Sequence, residues 1–181
     1  LTSDGRADEI VAIVMQSPET VENLMACLES ENPVVRGHTA DAIEKIGREK
    51  PEIFLPFVHR LLIAAEQDPL DMVQWHLAML FGHLALFEEL LDPLLAALAN
   101  DLSRGGGFTK SWAMASLCIV AKLYPDYEAK IVGEINKFRT SSIVTVQKRA
   151  EKSLEILLED KPIPEDWVKS PAIQAKLQSM D

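Results

Sequence analysis

Four histidines, two cysteines and three tryptophans are the side chains of this 181-residue chain best equipped for chemistry. His76 and His83 are seven apart, which sets them on one helix face. With His59 they raise the question of a metal. Seven residues of helix rise about 10 Å, too far for two imidazoles to share one ion without ligands from a partner helix. The spacing therefore predicts no metal site. Cys27 and Cys118 each sit inside an apolar helical pattern, and the expectation is a pair of reduced core thiols in a cytosolic protein. A disulfide between them has no support from spacing alone. The run Gly105-Gly106-Gly107 lacks the Lys-Ser/Thr that ends a phosphate loop, and no Cys-x-x-Cys, Gly-x-Ser-x-Gly or Gly-x-Gly-x-x-Gly occurs. No cofactor is expected.

Charge narrows the partner class. The formal net charge is −10, unevenly spread. Residues 1–100 carry 17 acidic and 6 basic side chains, whereas 101–181 carry 11 and 12. An acidic half repels a phosphate backbone, so nucleic acid is an unlikely partner. The segment 101–152 stands apart, with 9 basic against 5 acidic residues. No apolar run approaches the roughly 20 residues that span a bilayer, which predicts no membrane helix. No signal-peptide pattern opens the chain, and Leu1 in place of Met fits a processed start or a piece of a longer protein.

The elements that would position these residues read as helices throughout. Alternating strand patterns and Asn-Gly or Asp-Gly turns are missing. Ser17-Pro18, Asn32-Pro33 and Asp68-Pro69 each place a capping side chain before a proline, which loses no needed donor at a first helical position. Pro56 either starts a helix or kinks one. The pattern predicts helices over 5–15, 18–30, 33–48, 52–66, 69–86, 88–100, 109–123, 126–138 and 143–159. Ser103–Thr109 reads as a flexible loop and the most mobile internal segment, since three glycines hold no helix. Beyond Asp160, prolines 162, 164 and 171 predict an extended tail, 161–181, with a short terminal helix.

The helices repeat. Ile46, Leu84, Leu123 and Leu157 align at spacings of 38, 39 and 34 residues. Three positions earlier stand Ile43, Phe81, Val120 and Leu154; eleven earlier, Val35, Val73, Trp112 and Val146. Offsets of 3 and 11 keep these side chains on one helical face. A helix pair of this size buries both apolar faces only by stacking on copies of itself.

The stretch "NPVVRGHTADAIEKIG", continued by "PEIFLPFVHRLL", resembles a HEAT repeat: Pro33, Val35-Arg36, Ala40, Ile43, Ile46 and Gly47 stand where that pattern has its Pro, Val-Arg, small, aliphatic and Gly positions. The resemblance covers about residues 5–160, within a repeat domain expected over 1–160. It implies an all-α, right-handed α-α superhelix of four to five helix pairs, and a non-catalytic scaffold or adaptor whose partner is another protein. In such a solenoid the second helices (18–30, 52–66, 88–100 and 126–138) line the concave face. Glu22, Glu29, His59, Arg60, Lys130 and Lys137 on them are the expected partner-binding residues, in a cytoplasmic protein. Two enzyme families with HEAT-like folds give the alternatives. Di-iron hydroxylases use His-Glu dipeptides, and here His38, His59, His76 and His83 precede Thr, Arg, Leu and Leu. DNA glycosylases acting on alkylated bases use tryptophans with an aspartate on a basic concave surface; Trp75 with Asp71, and Trp112 with Lys110, imitate this. Trp112, however, falls in a column of core valines, and the acidic half opposes DNA.

Overall fold

The computed structural model describes residues 6–180. Among these the regular structure is all helical, with no strand. The α-helices are α1 (Ala7–Gln16), α2 (Val21–Leu28), α3 (Pro33–Glu49), α4 (Val58–Gln67), α5 (Asp71–Leu84), α6 (Leu91–Arg104), α7 (Gly107–Leu123), α8 (Glu128–Asn136), α9 (Val144–Leu158) and α10 (Pro171–Gln178). Gly5, where the first helix was expected to begin, lies outside the described residues.

Local chemistry explains most boundaries. Asn32 Oδ1 accepts the Val34 amide at 2.9 Å, as a cap residue should, whereas Asp68 Oδ1 accepts that of Leu70 at 2.9 Å in a turn ahead of α5, whose cap position is Leu70. Ser17 does not cap with its side chain; its carbonyl instead accepts the Thr20 hydroxyl. The second helices start later than expected. Each is entered through a 3-10 turn: Pro18–Thr20, Pro51–Phe57, Glu88–Leu90 and Pro125–Tyr127. Pro56 closes the second of these turns, so it neither starts nor kinks an α-helix.

The helices form two layers. The first helices α1, α3, α5, α7 and α9 pack each on the next, and α2, α4, α6 and α8 each pack against the next first helix in the chain. A helix flanked on every side must be apolar all round. Accordingly every residue from His76 to Ala85 in and after α5 is buried, and so is every residue from Ala113 to Ala121 in α7. Small residues let these helices approach: a Cβ on Gly82 would meet Ser116 Oγ at 2.6 Å. Two of the repeat columns are core throughout, Ile43/Phe81/Val120/Leu154 and Ile46/Leu84/Leu123/Leu157. The third is mixed. Val73 and Val146 are buried, while Val35 is exposed and Trp112 half-buried.

The sequence period reappears as a ladder of side-chain bonds between neighbouring first helices. Lys45 reaches Asp8 (2.8 Å), His83 meets Glu44 (2.9 Å) and Thr109 donates to Asp71 (2.6 Å). Further along, Ser116 donates to the Ala78 carbonyl (2.7 Å), Tyr124 to the Ala85 carbonyl (3.0 Å) and Lys122 to Asp160 (2.5 Å). Partners are 37 to 39 residues apart, close to the 38 and 39 that separate the first three columns; Lys122 and Asp160 depart from this, since the columns of α7 and α9 are 34 apart and Asp160 lies beyond α9.

Three expectations are corrected. Cys27 is exposed, because Val21, Leu24, Met25 and Leu28 define the buried face of α2 and leave it on the other side; Cys118 is buried, and both thiols are free. The Ser103–Thr109 loop is only two residues long, since α6 runs to Arg104 and α7 starts at Gly107. Its glycines serve close approach: a Cβ on Gly105 would meet Thr109 Cγ2 at 2.5 Å, and one on Gly106 would collide with the Asp71 carboxylate. The tail is not free. It folds back until α10 packs on α3 and α7, burying Trp167, Val168 and Ile173. Among the described residues no helix is long and apolar enough to cross a membrane.

Candidate functional site

The second-helix layer holds the six residues singled out from sequence, and the structure brings three together. Arg60 on α4 reaches across to α2, with Nη1 2.6 Å from Glu22 and Nη2 2.7 Å from Glu29. Hydrogen bonds to Glu29 and then Glu22 raise the Arg60 pKa further. Beside this cluster runs a groove of about 410 Å³. Met25, Leu28, Ile63 and Ala64 line its apolar part, and Arg36 and Asp68 lie at its rim. Arg36 is fixed there by Asp68, Nε to Oδ2 at 2.6 Å, and by the Ser30 carbonyl. His59 is exposed next to Arg60. Lys130 and Lys137 belong to another region: α8 packs on α7 and α9, and Lys137 pairs with Glu134 at 2.6 Å.

A second cluster lies between first helices and was not foreseen. Glu44 on α3 is fully buried, bound by Arg48 one turn on and by His83 of α5. Burial pushes its pKa up, but the His83 and Arg48 hydrogen bonds outweigh that and hold it at about 2. One turn earlier Asp41 faces His76 at 3.4 Å and Lys45 at 3.2 Å. Of the three histidines that suggested a metal, His76 and His83 are each turned to a carboxylate of the neighbouring helix, and His59 stands apart, exposed on α4. Among the described residues no three His, Cys, Asp or Glu side chains converge on one point. A partial signal was available: the column alignment sets Glu44 opposite Gly82, one position from His83.

The tail closes over tryptophans. The Arg149 guanidinium sits 4.0 Å from the Trp167 ring and 5.4 Å from Trp112, and Lys169 Nζ sits 4.7 Å from Trp112. Burial lowers the pKa of both cations. Nearby, burial pushes the Cys118 thiol up to about 12, which removes it as a nucleophile at neutral pH.

At the α6–α7 turn stands a third group. Trp75 stacks on His76, with centroids 3.6 Å apart, and meets Phe108 at 6.3 Å. The Asp71 carboxylate is taken by Thr109. Asp101 is buried with Oδ2 unbonded, and burial pushes its pKa up to about 8.

No protein-family model matches this chain, and comparison with curated proteins and with solved structures likewise finds no match.

Proposed function

We propose that the chain is a HEAT-like, right-handed α-solenoid and serves as a non-catalytic scaffold that binds another protein in the cytoplasm. The ladder of bonds between residues 37 to 39 apart is the observation that carries this reading. It is what a stack of like helix pairs needs and what a bundle of unlike helices has no reason to contain. The close approach of the first helices, through Gly47 against Leu80 and Gly82 against Ser116, is what such a stack requires. In this reading the second helices line the concave face. They remain the partner surface proposed here. Glu22, Glu29, His59, Arg60, Lys130 and Lys137 are exposed or half-buried, and the Arg60 cluster borders a preformed groove.

The glycosylase alternative draws less support. Asp71 is committed to Thr109, and Trp112 is flanked by two cations. One experiment separates the readings. The chain is immobilised, partners are captured from native lysate, and retention is compared with an Arg60→Glu, Lys130→Glu, Lys137→Glu triple variant. A specific protein lost in the variant supports the scaffold. Release of methylated base from alkylated DNA, abolished by Asp71→Asn, would overturn it.

A further inference from the structure

The first helices present their N-terminal ends along one edge of the stack. Gly37 of α3 lies against Met72 of α5, Gly106 before α7 against Asp71 of α5, and Gly107 of α7 against Ile143 and Thr145 at the start of α9. Five of the nine large apolar side chains left in solvent among the described residues stand at this edge; Ile13, Ile63, Leu158 and Met180 lie elsewhere. Phe108 is 70% exposed, Val144 60% and Ile143 47%, and Val34 and Val35 are exposed in the first turn of α3. The Phe108 and Trp75 rings have centroids 6.3 Å apart, and a Cβ on Gly107 would lie 3.7 Å from Ile143, so Trp75, Phe108, Ile143 and Val144 are neighbours along this edge. Scattered exposed apolar residues need no explanation; a contiguous aromatic and aliphatic strip marks a surface that is covered part of the time.

The charge around the strip indicates by what. Lys110 projects from the turn after Phe108 to lie 5.5 Å from the Phe138 ring. Arg104 ends α6, Arg139 comes directly after Phe138, and Lys148 is one turn beyond Val144. Among the described residues none of these four cations forms an ion pair. They differ in this from Arg36, Lys45, Arg48 and Arg60, and from Lys122, Lys137 and Lys152 of the same half, each of which is held by at least one carboxylate. Of the carboxylates around the strip, Asp71 accepts from Thr109 and keeps its charge, Glu134 is paired with Lys137, and Asp101 is buried. An apolar strip edged by unanswered positive charge, on a chain of net charge −10, fits an acidic amphipathic peptide segment. Nucleic acid fits less well, because the acidic remainder of the chain repels a long polyanion.

We infer that the edge formed by Trp75, Phe108, Ile143 and Val144, with Lys110 and Lys148, is a docking site for an acidic amphipathic segment of a partner protein. The site is distinct from the Arg60 groove and rests only on the reading of the chain as an interaction protein.

The probe is a labelled peptide of about twelve residues repeating Glu-Leu-Phe-Glu, which places its apolar side chains on one helical face. Binding is monitored by fluorescence anisotropy. Comparators are the same peptide with Lys for Glu, an oligothymidylate of similar length, and anionic phospholipid vesicles. The Glu peptide is expected to bind at least about ten-fold more tightly than the Lys peptide or the oligonucleotide, and to weaken as salt rises. Phe108→Ala is expected to reduce affinity about ten-fold. Phe108 is exposed, so the fold should survive, and an unchanged melting curve establishes that. Lys110→Glu with Lys148→Glu should weaken binding as much and flatten the salt dependence. Lys50→Glu, at the far end of α3, should leave affinity within about two-fold. Equal or tighter binding of the Lys peptide, the oligonucleotide or the vesicles would overturn the proposal, as would absence of peptide binding or indifference to Phe108→Ala. Those failures leave the lysate test of the second-helix surface standing, since its variants lie elsewhere.

Discussion

Glu44 and Asp101 are both buried carboxylates, one at the α3–α5 interface and one at the end of α6, yet burial has opposite consequences for them. Glu44 meets Arg48 and His83 and is held at about pKa 2. Asp101 meets no donor at Oδ2 and is pushed up to about 8. Desolvation is unfavourable to both charges. The difference is whether the neighbouring repeat delivers a hydrogen-bond donor. The first half of the stack is thus fastened by ion pairs between helices. At the α6–α7 turn the joint is made of glycine contacts and hydroxyl bonds, and its buried acid stays protonated at neutral pH.

Removing the partnered acid should have the largest effect. Glu44→Ala leaves Arg48 and His83 without their carboxylate and opens a gap, and is expected to destabilise the fold by about 3–5 kcal/mol. Denaturant unfolding at pH 7 checks this against Phe81→Ala, a core truncation expected to cost a similar ~3–5 kcal/mol. A cost below about 1 kcal/mol for Glu44→Ala would show that the α3–α5 joint is held by packing alone. Asp101→Asn should act in the other direction. Its folded pKa lies above the ordinary 3.8, so the native state keeps a proton that the unfolded chain gives up. Stability therefore falls as pH rises from about 4 to about 8. The substitution should raise stability on the order of 2–4 kcal/mol at pH 8 and change little near pH 4. A variant no more stable than its parent at pH 8 would mean that Asp101 is solvated and the contrast with Glu44 is unreal.

Acid unfolding sharpens the same contrast. The Glu44 carboxyl titrates below its ordinary 4.5 in the folded protein, so its stabilisation is complete above about pH 4.5 and is lost as pH falls toward 2. The expected loss over that window is about 3 kcal/mol, and a Glu44→Gln variant should lack that part of the acid limb. Stability profiles of parent and variant that run parallel between pH 4.5 and 2 would exclude Glu44 as the group responsible.

Period made the core columns legible in the sequence. Ile43, Phe81, Val120 and Leu154 form such a column because a 3.6-residue repeat fixes one face of every helix. Charged and small residues were harder, because their position depends on the neighbouring copy. Glu44 reads as an ordinary solvated helix charge until His83 is set beside it. Cys27 lies in an apolar run, but four larger neighbours claim the buried face of α2. The three glycines suggest slack by composition, yet two of them are where Asp71 and Thr109 come closest. Of the six expected binding residues, Glu22, Glu29 and Arg60 converge because both glutamates lie on the face of α2 turned to α4. Lys130 and Lys137 share with them only the layer.

The smallest effect is expected at that converged cluster. Arg60 bridges two exposed glutamates, and exposed ion pairs gain little, since water and salt screen them and two long side chains must be held still. Arg60→Ala is therefore expected to change stability by no more than about 0.2–1 kcal/mol, a shift of a few degrees at most in thermal melting. The geometry resembles that at Glu44, with one charge between two partners, and only exposure differs. If Arg60→Ala cost as much as Glu44→Ala, the groove beside it would be a structural joint like the α3–α5 interface, and the case for it as a partner surface would be lost. A small cost, together with lost partner capture by the Arg60→Glu, Lys130→Glu, Lys137→Glu variant, would separate the two roles: paired charges buried between the first helices hold them together, and paired charges on the second helices are available for exchange with a partner.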